Sequence, residues 1–135
     1  MADSTTLYVN RRYADLDLTF ARNPNTNDIN ILKDIAAVRR AVRQLVFYMA
    51  YEKPFNPLFC CKIYRMLFEP ITNQTAFEIE QSIQEAVENY EPRATIIDVD
   101  ANPTPDGSGY NVDIKFSINN IQTPITLTLY LQRSR

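Results

Sequence analysis

The sequence predicts an α+β fold, with N-terminal helices packed on a C-terminal three-stranded antiparallel sheet. Apolar residues recur every three or four positions through much of residues 31–90, a spacing typical of amphipathic helices. From residue 94 to residue 132 they alternate with polar residues instead, which is typical of half-buried strands. Helices followed by a run of strands indicate the α+β class. The length of 135 residues fits a single domain, divided into an N-terminal arm and extended segment (1–27), helices (28–90) and a sheet (94–132).

The first elements along the chain are a short extended piece and a long helix. Residues 12–20 alternate imperfectly, and a loop containing Asn, Pro and Thr follows them. Residues 31–48 carry apolar side chains at helical spacing, and Asp34 or Asp28 is the expected N-cap. The opposite helix face is basic and is expected to be solvated, with an acidic partner as the alternative; it carries Arg39, Arg40 and Arg43.

A proline-containing connector and two further helices come next. Two prolines within residues 52–57 force extended or turn geometry around the aromatic residue between them. Residues 58–68 predict a short helix that begins beside the second proline. Residues 75–90 predict a longer helix, capped by Thr72 or Asn73.

The tripeptide Glu91-Pro92-Arg93 forms the junction between the last helix and the first strand. Pro92 lacks an N–H and disfavours α geometry in the residue before it, so we expect it to end the helix. Opposite charges flank this rigid hinge, and the planar fork of Arg93 suits bidentate binding of a carboxylate. Three pairings of Arg93 stay open: a salt bridge to Glu91, a contact with the helix end, and a contact with a partner protein.

Three strands are predicted after the hinge. Residues 94–101 are rich in β-branched side chains and residues 110–118 alternate cleanly. Residues 119–123 are predicted to form a turn, and residues 125–131 form the last strand. The last strand is either internal or a sheet edge, and an unpaired edge would offer its N–H and C=O groups for strand addition. The residues of this candidate edge are Ile125, Thr126, Leu127, Thr128 and Leu129.

Composition removes several classes of function. A formal net charge of −2 gives no electrostatic case for nucleic acid, and no apolar run is long enough to cross a bilayer. The chain has no histidine, which excludes Ser-His-Asp triads and the usual zinc ligand sets. Its two glycines lie in one turn, which excludes a glycine-rich phosphate loop. No cofactor or metal is therefore expected. The start of the chain lacks the pattern of a signal peptide, and the adjacent Cys60 and Cys61 are expected to be reduced and intracellular.

Carboxylates are the remaining candidates for catalysis. The alternative function is a carboxylate-based peptidoglycan hydrolase of the lysozyme kind. Its acid and base candidates are Glu69 and the helix residues Glu78, Glu80, Glu85 and Glu88. The four helix residues share their face with Gln and Asn, so a solvated surface accounts for them without chemistry. We therefore predict that the chain is not an enzyme.

The chain resembles a known family in four ordered stretches. The first is the long helix of residues 32–51 with the connector EKPFNP, similar to the pattern E-[RK]-P-F-x-P; the others are LFEP at 67–70, IQEAVENYEPR at 83–93 and the strand pattern of 98–132. In these stretches the chain is similar to the small baseplate wedge proteins of contractile-tailed phages. This GPW or gene-25-like family has relatives in type VI secretion and other contractile injection machines. Cys60 stands where the family usually has glycine, a departure that bears on the local backbone path.

The resemblance implies a structural role in the baseplate of the virion tail, with assembly in the host cytoplasm. It implies that the hinge Glu91-Pro92-Arg93 contacts the helical core bundle of the other wedge proteins. It also implies that the terminal sheet, similar to part of the sheath subunit, is extended by sheath chains along residues 125–129. The tail tube is a further expected neighbour, whereas nucleic acid and membrane are not expected partners.

Overall fold

The computed structural model of the chain describes residues 13–119 and 121–133 and divides it into two compact units, residues 1–37 and 38–135. Residues 1–12 of the predicted N-terminal arm and extended segment lie outside the described residues. In the first unit, strand β1 (Ala14–Leu16) pairs antiparallel with β2 (Ile31–Lys33), which places Asp15 opposite Leu32. The connection between them closes through a turn in which the Asn23 N–H donates to the Asp28 carbonyl at 2.8 Å.

Helix α1 (Ile35–Phe47) begins four residues later than the sequence predicts. The prediction of helix at residues 31–34 is wrong because residues 31–33 form β2, whose partner strand is remote in sequence. Asp34 adopts a left-handed φ of 48° between strand and helix, and its carboxylate accepts a hydrogen bond from the Tyr13 N–H at 3.2 Å. Within the second unit, the buried residues of α1 recur at helical spacing: Val38, Val42, Leu45 and Val46.

The second predicted helix is much shorter than expected. Helix α2 covers only Ile63–Met66, so the prediction of helix at residues 58–62 is wrong. The Phe59 ring lies instead between the rings of Tyr48 and Tyr90, with centroid separations of 5.3 and 4.6 Å. Aromatic packing between distant residues therefore outweighs the local helical tendency of this segment.

Helix α3 (Asn73–Tyr90) confirms the third prediction. Thr72 is the N-cap, and its hydroxyl oxygen accepts a hydrogen bond from the Thr75 N–H at 3.1 Å. One face of the helix is buried along its whole length, through Thr75, Ala76, Ile79, Ser82, Ile83, Ala86 and Val87. This stripe provides the helical side of the core in the second unit.

The sheet is an antiparallel meander in the order β3-β4-β5. Its strands are β3 (Ala94–Pro103), β4 (Gly109–Ile118) and β5 (Ile121–Gln132), the last of which begins inside the predicted turn. The register places Val99 opposite Ile114 and Ile114 opposite Leu127. Helices followed by this sheet confirm the α+β class.

One face of the sheet is buried and packs in the core with α3, which lies beside β3. The predicted alternation is observed in the two later strands, whose buried residues are Tyr110, Val112, Ile114, Phe116, Ile118, Leu127, Leu129 and Leu131. The opposite face is polar. Across the described part of the chain, no helix combines the length and the apolarity needed to span a bilayer.

Candidate functional site

The hinge begins where α3 ends. Glu91 is the C-cap, with φ −124° and ψ 80°, and its N–H donates to the Val87 carbonyl at 2.9 Å. Pro92 follows and cannot donate a further helical hydrogen bond, so the helix stops here as the sequence predicts. The Ala94 N–H then donates to the Glu91 carbonyl at 3.2 Å, which turns the chain directly into β3.

The two charged residues of the hinge bind each other. Arg93 donates from Nε to Glu91 Oε1 at 2.7 Å and from Nη2 to Glu91 Oε2 at 2.9 Å, a bidentate pair. The Arg93 N–H also donates to Oε1 at 3.3 Å. Only 9% of the Glu91 side chain is exposed, against 24% for Arg93. Of the three pairings that the sequence left open, the structure contains the salt bridge within this chain.

Asn119, at the end of β4, fixes the hinge backbone. Its side-chain Nδ2 donates to the Pro92 carbonyl at 2.8 Å, and its N–H donates to the Arg93 carbonyl at 3.2 Å. Its Oδ1 accepts from the Thr95 hydroxyl at 3.1 Å. Sequence reasoning missed this residue because it is 27 positions from Pro92 and lies in a segment that predicted only a turn. The hinge is consequently held from the helix side and from the sheet side.

A shallow groove of about 180 Å³ adjoins the hinge. Its aromatic wall consists of Tyr48, Phe59 and Tyr90, and the Lys53 Nζ lies 3.8 Å from the Phe59 ring centroid. The rest of the lining comes from Ala41, Gln44, Leu45 and Glu91. The hinge therefore borders an apolar depression between the C-terminal ends of α1 and α3.

The connector beside this groove exposes large apolar side chains. Phe55 is fully exposed, and Tyr51 and Leu58 are mostly exposed. Tyr51 and Phe55 also adopt left-handed backbone angles, with φ 68° and 65°, which cost free energy in residues with a Cβ. The Tyr90 hydroxyl donates to the Leu58 carbonyl at 3.0 Å and ties the connector to the end of α3. Strain and apolar exposure in one segment are typical of a protein-contact surface.

Strand β5 is an edge of the sheet, because β4 is its one neighbour among the described residues. The Arg133 N–H donates to the Ser108 carbonyl at 2.8 Å, which makes these two residues a hydrogen-bonded pair. Such pairs alternate along an antiparallel ladder. The backbone groups that point away from β4 are therefore those of Thr126, Thr128, Tyr130 and Gln132.

The predicted edge residues divide by face. Leu127 and Leu129 are buried, and Ile125 is half-buried, so their side chains belong to the core. Thr126 and Thr128 are exposed, and the Thr128 hydroxyl donates to Asp113 Oδ1 at 2.6 Å. An added strand would form hydrogen bonds with the backbone N–H and C=O groups of Thr126 and Thr128.

The other edge of the sheet, β3, is interrupted. The Thr104 N–H donates to the Gly109 carbonyl, so these two residues are a hydrogen-bonded pair of β3 and β4. Backbone groups of successive strand residues point alternately toward and away from β4, so after the bulge at Ile97 the outward positions are Val99, Ala101 and Pro103. Pro103 has no N–H, and the Ala101 N–H donates to Glu80 Oε1 on α3 at 2.9 Å. The start of β5 is also irregular, because it contains Pro124 and a register shift opposite Phe116 and Ile118. Within the described residues, the part of β5 from Thr126 to Gln132 is the longer unbroken outward edge of the sheet.

The four helix carboxylates proposed for catalysis each have a partner within the chain. These are the Glu78–Gln74, Glu80–Ala101, Glu85–Lys62 and Glu88–Gln84 pairs. Glu69 is exposed at the end of the α2 segment. Among the described residues, no group of three or more acidic or cysteine side chains is arranged to hold a metal ion. These contacts are those of a helix surface and a helix–strand junction.

A proline hinge beside an apolar depression, joined to a sheet with an exposed edge, is typical of the class of proteins that bind other proteins. Comparison with known proteins agrees with this class. The family model of the baseplate wedge protein gp25 matches residues 33–122, and the chain belongs to that family. The match includes Glu91, Pro92 and Arg93 and ends before residues 125–129.

Individual relatives give the same result. The chain is 30% identical over 110 residues to the baseplate wedge protein gp25 of Enterobacteria phage T4, covering 82% of this chain and 83% of that protein. Its fold resembles that of a cryo-EM structure of the anti-feeding prophage baseplate, with a TM-score of 0.63, 17% identity, and coverage of 92% of this chain and 88% of the other. It also resembles a crystal structure described as a putative tail lysozyme from Geobacter sulfurreducens, with a TM-score of 0.66, 24% identity, and coverage of 73% and 89%. Both structural likenesses concern the fold alone, so the family assignment rests on the family model and on the phage T4 relative.

Proposed function

We propose that this protein is a structural, non-enzymatic subunit of a contractile-tail baseplate wedge. It binds the helical core of the other wedge proteins through Glu91-Pro92-Arg93 and starts the tail sheath by strand addition to β5. It assembles in the host cytoplasm, ends in the virion tail, and has the tail tube as a neighbour. The observation that carries this proposal is the contrast between the open β5 edge and the interrupted β3 edge.

The β5 edge is suited to strand addition because its outward backbone groups recur without a break from Thr126 to Gln132, beyond Pro124 and the register shift. Thr126, Thr128, Tyr130 and Gln132 each direct one donor and one acceptor away from β4. Each added backbone hydrogen bond contributes about 0.5–1.5 kcal/mol, and several of them in a row support a stable, directional junction. Buried Leu127 and Leu129 hold the strand in place from behind. An incoming sheath strand would thus extend a surface that is already ordered.

The hinge is suited to docking because its shape is fixed before a partner arrives. The Glu91–Arg93 pair and Asn119 restrain the backbone, while Pro92 stays exposed. Since the Arg93 guanidinium binds Glu91 within the chain, Arg93 contributes mainly by shaping the hinge. The neighbouring groove and the exposed aromatic connector then supply apolar contact area for a helical partner. Pre-ordering of this kind lowers the entropy cost of assembly.

A matched pair of variants tests strand addition. Thr128→Pro removes an outward N–H and places a ring on the edge, which an edge strand tolerates but an added strand cannot pair with. Thr128→Val is the control, because both variants lose the hydroxyl bond to Asp113 while valine keeps the backbone donor. In a reconstitution with the wedge and sheath proteins encoded alongside this chain, we expect Thr128→Pro to join the wedge but fail to start sheath polymerisation. Normal sheath growth on a folded Thr128→Pro subunit would contradict the proposal.

A further inference from the structure

The β3 edge is short of available donors for a specific structural reason. Ala94 donates to the Glu91 carbonyl, Pro103 has no N–H, and the Ala101 N–H is bound by Glu80. The bulge at Ile97 further disrupts the outward row. Val99 lies between these positions and directs its N–H outward.

Glu80 is the one side chain from outside the strand that reaches this edge in the contacts described above. It lies on α3, 21 residues before Ala101, and is half-buried, as expected for a carboxylate held between helix and strand. Ala101 itself is buried. Glu78, two residues earlier on the same helix, bonds only locally to Gln74 in the contacts observed, so the reach to the sheet is particular to Glu80.

We propose that Glu80 shields the β3 edge against strand pairing and thereby directs strand addition to β5. An unshielded β3 edge would offer its backbone groups to the β3 edge of a second copy of the chain. Glu80 occupies the Ala101 N–H, one of the two outward donors of β3 after the bulge, and a neighbouring chain would have to displace this charged side chain before pairing. The direction of strand addition to β5 rests on the proposed function, whereas the shielding of β3 rests on the Glu80–Ala101 contact itself.

Two variants of similar shape separate the hydrogen bond from the packing of the side chain. Glu80→Gln keeps an amide oxygen that accepts from the Ala101 N–H, and Glu80→Met keeps the stem but has no comparable acceptor. We expect the Ala101 amide of Glu80→Met to exchange with deuterium about tenfold faster than in the wild type. We expect Glu80→Met to form a dimer in sedimentation velocity over a concentration series, while Glu80→Gln and the control Glu78→Met stay monomeric.

Prolines at the two edges locate the new contact. In the Glu80→Met background, Val99→Pro removes the adjacent outward donor of β3 and should restore the monomer, whereas Thr128→Pro on β5 should leave the dimer intact. A Glu80→Met protein that stays monomeric overturns the proposal, whether or not its Ala101 amide is protected. So does a dimer that Val99→Pro does not dissolve, or an equal dimer formed by Glu80→Gln.

The same set of variants keeps this inference separate from the proposed function. If the Thr128→Pro subunit still starts sheath polymerisation, β5 is not the site of strand addition. That result does not affect whether Glu80→Met dimerises through β3. Conversely, a monomeric Glu80→Met protein would show that Glu80 does not shield β3. Strand addition to β5 would still be tested separately, by sheath growth on the Thr128→Pro subunit. Amide protection in β4, measured in every variant, shows that the sheet is still folded.

Discussion

Replacing Arg93 with alanine tests whether the hinge is built on its internal ion pair. The change leaves the Glu91 carboxylate, only 9% exposed, without the two guanidinium hydrogen bonds of 2.7 and 2.9 Å. Removing one member of a fully buried pair costs about 3–5 kcal/mol. Arg93 is 24% exposed and the N–H at position 93 still donates to Glu91, so we expect a smaller loss, about 2 kcal/mol. For a chain of this size that lowers Tm by about 8 °C.

The assay is urea unfolding followed by circular dichroism, with a double-mutant cycle. In the Glu91→Gln background no buried charge is left unpaired, so Arg93→Ala should cost at least about 1 kcal/mol less there. Equal losses in the two backgrounds, or a loss below about 0.5 kcal/mol for Arg93→Ala alone, would refute the reasoning. The folded Glu91→Gln/Arg93→Ala protein then separates docking from stability. We expect it to fail to join the wedge, and normal incorporation would show that the Glu91–Arg93 pair is not needed for docking.

Two further predictions concern stability and thiol chemistry. A Cβ at Gly109 would collide with the Leu131 carbonyl, so Gly109→Ala should destabilise the fold by about 1–3 kcal/mol. The loss is measured as a lower urea midpoint, and an unchanged midpoint would contradict the close approach of these strands. Burial raises the pKa of the Cys61 thiol above its ordinary value of 9.0, with a smaller opposing effect from Ser82, so iodoacetamide should modify Cys60 well before Cys61 in the folded protein. Because the folded thiol keeps its proton longer than the unfolded one, this contribution to stability is complete below about pH 9 and is lost as the pH rises through the folded pKa. A Cys61→Ser variant, which does not titrate there, should lose less stability over that range.

The parts of the fold that the sequence predicts well depend on periodicity. The alternation of Tyr110 to Ile118 and the apolar stripe of residues 75–90 are local patterns, and both match the observed burial. The errors come from contacts between distant residues. Residues 31–33 pair with residues 14–16, and Phe59 packs between Tyr48 and Tyr90, so both segments leave the helices that local spacing predicts.

The candidate site was predictable to a similar extent. Pro92 marks the hinge from sequence alone, since its backbone chemistry is local. The choice of Glu91 as the partner of Arg93 was one of three open pairings. Asn119 and Glu80 carried no recognisable signal in the sequence. Asn119 contacts Pro92, 27 residues away, only because β4 ends beside the start of β3. Glu80 contacts Ala101, 21 residues away, only because α3 lies along the edge of β3.

A cryo-EM reconstruction of the assembled tail would test the central claim most directly. We predict a strand of the first sheath ring hydrogen-bonded along residues 126–132 of β5, with Glu80 still bound to Ala101 at the other edge. We also predict a helical partner seated on the Glu91-Pro92-Arg93 hinge. A β5 edge that faces solvent in the assembled tail, or a sheath strand added to β3, would contradict the account.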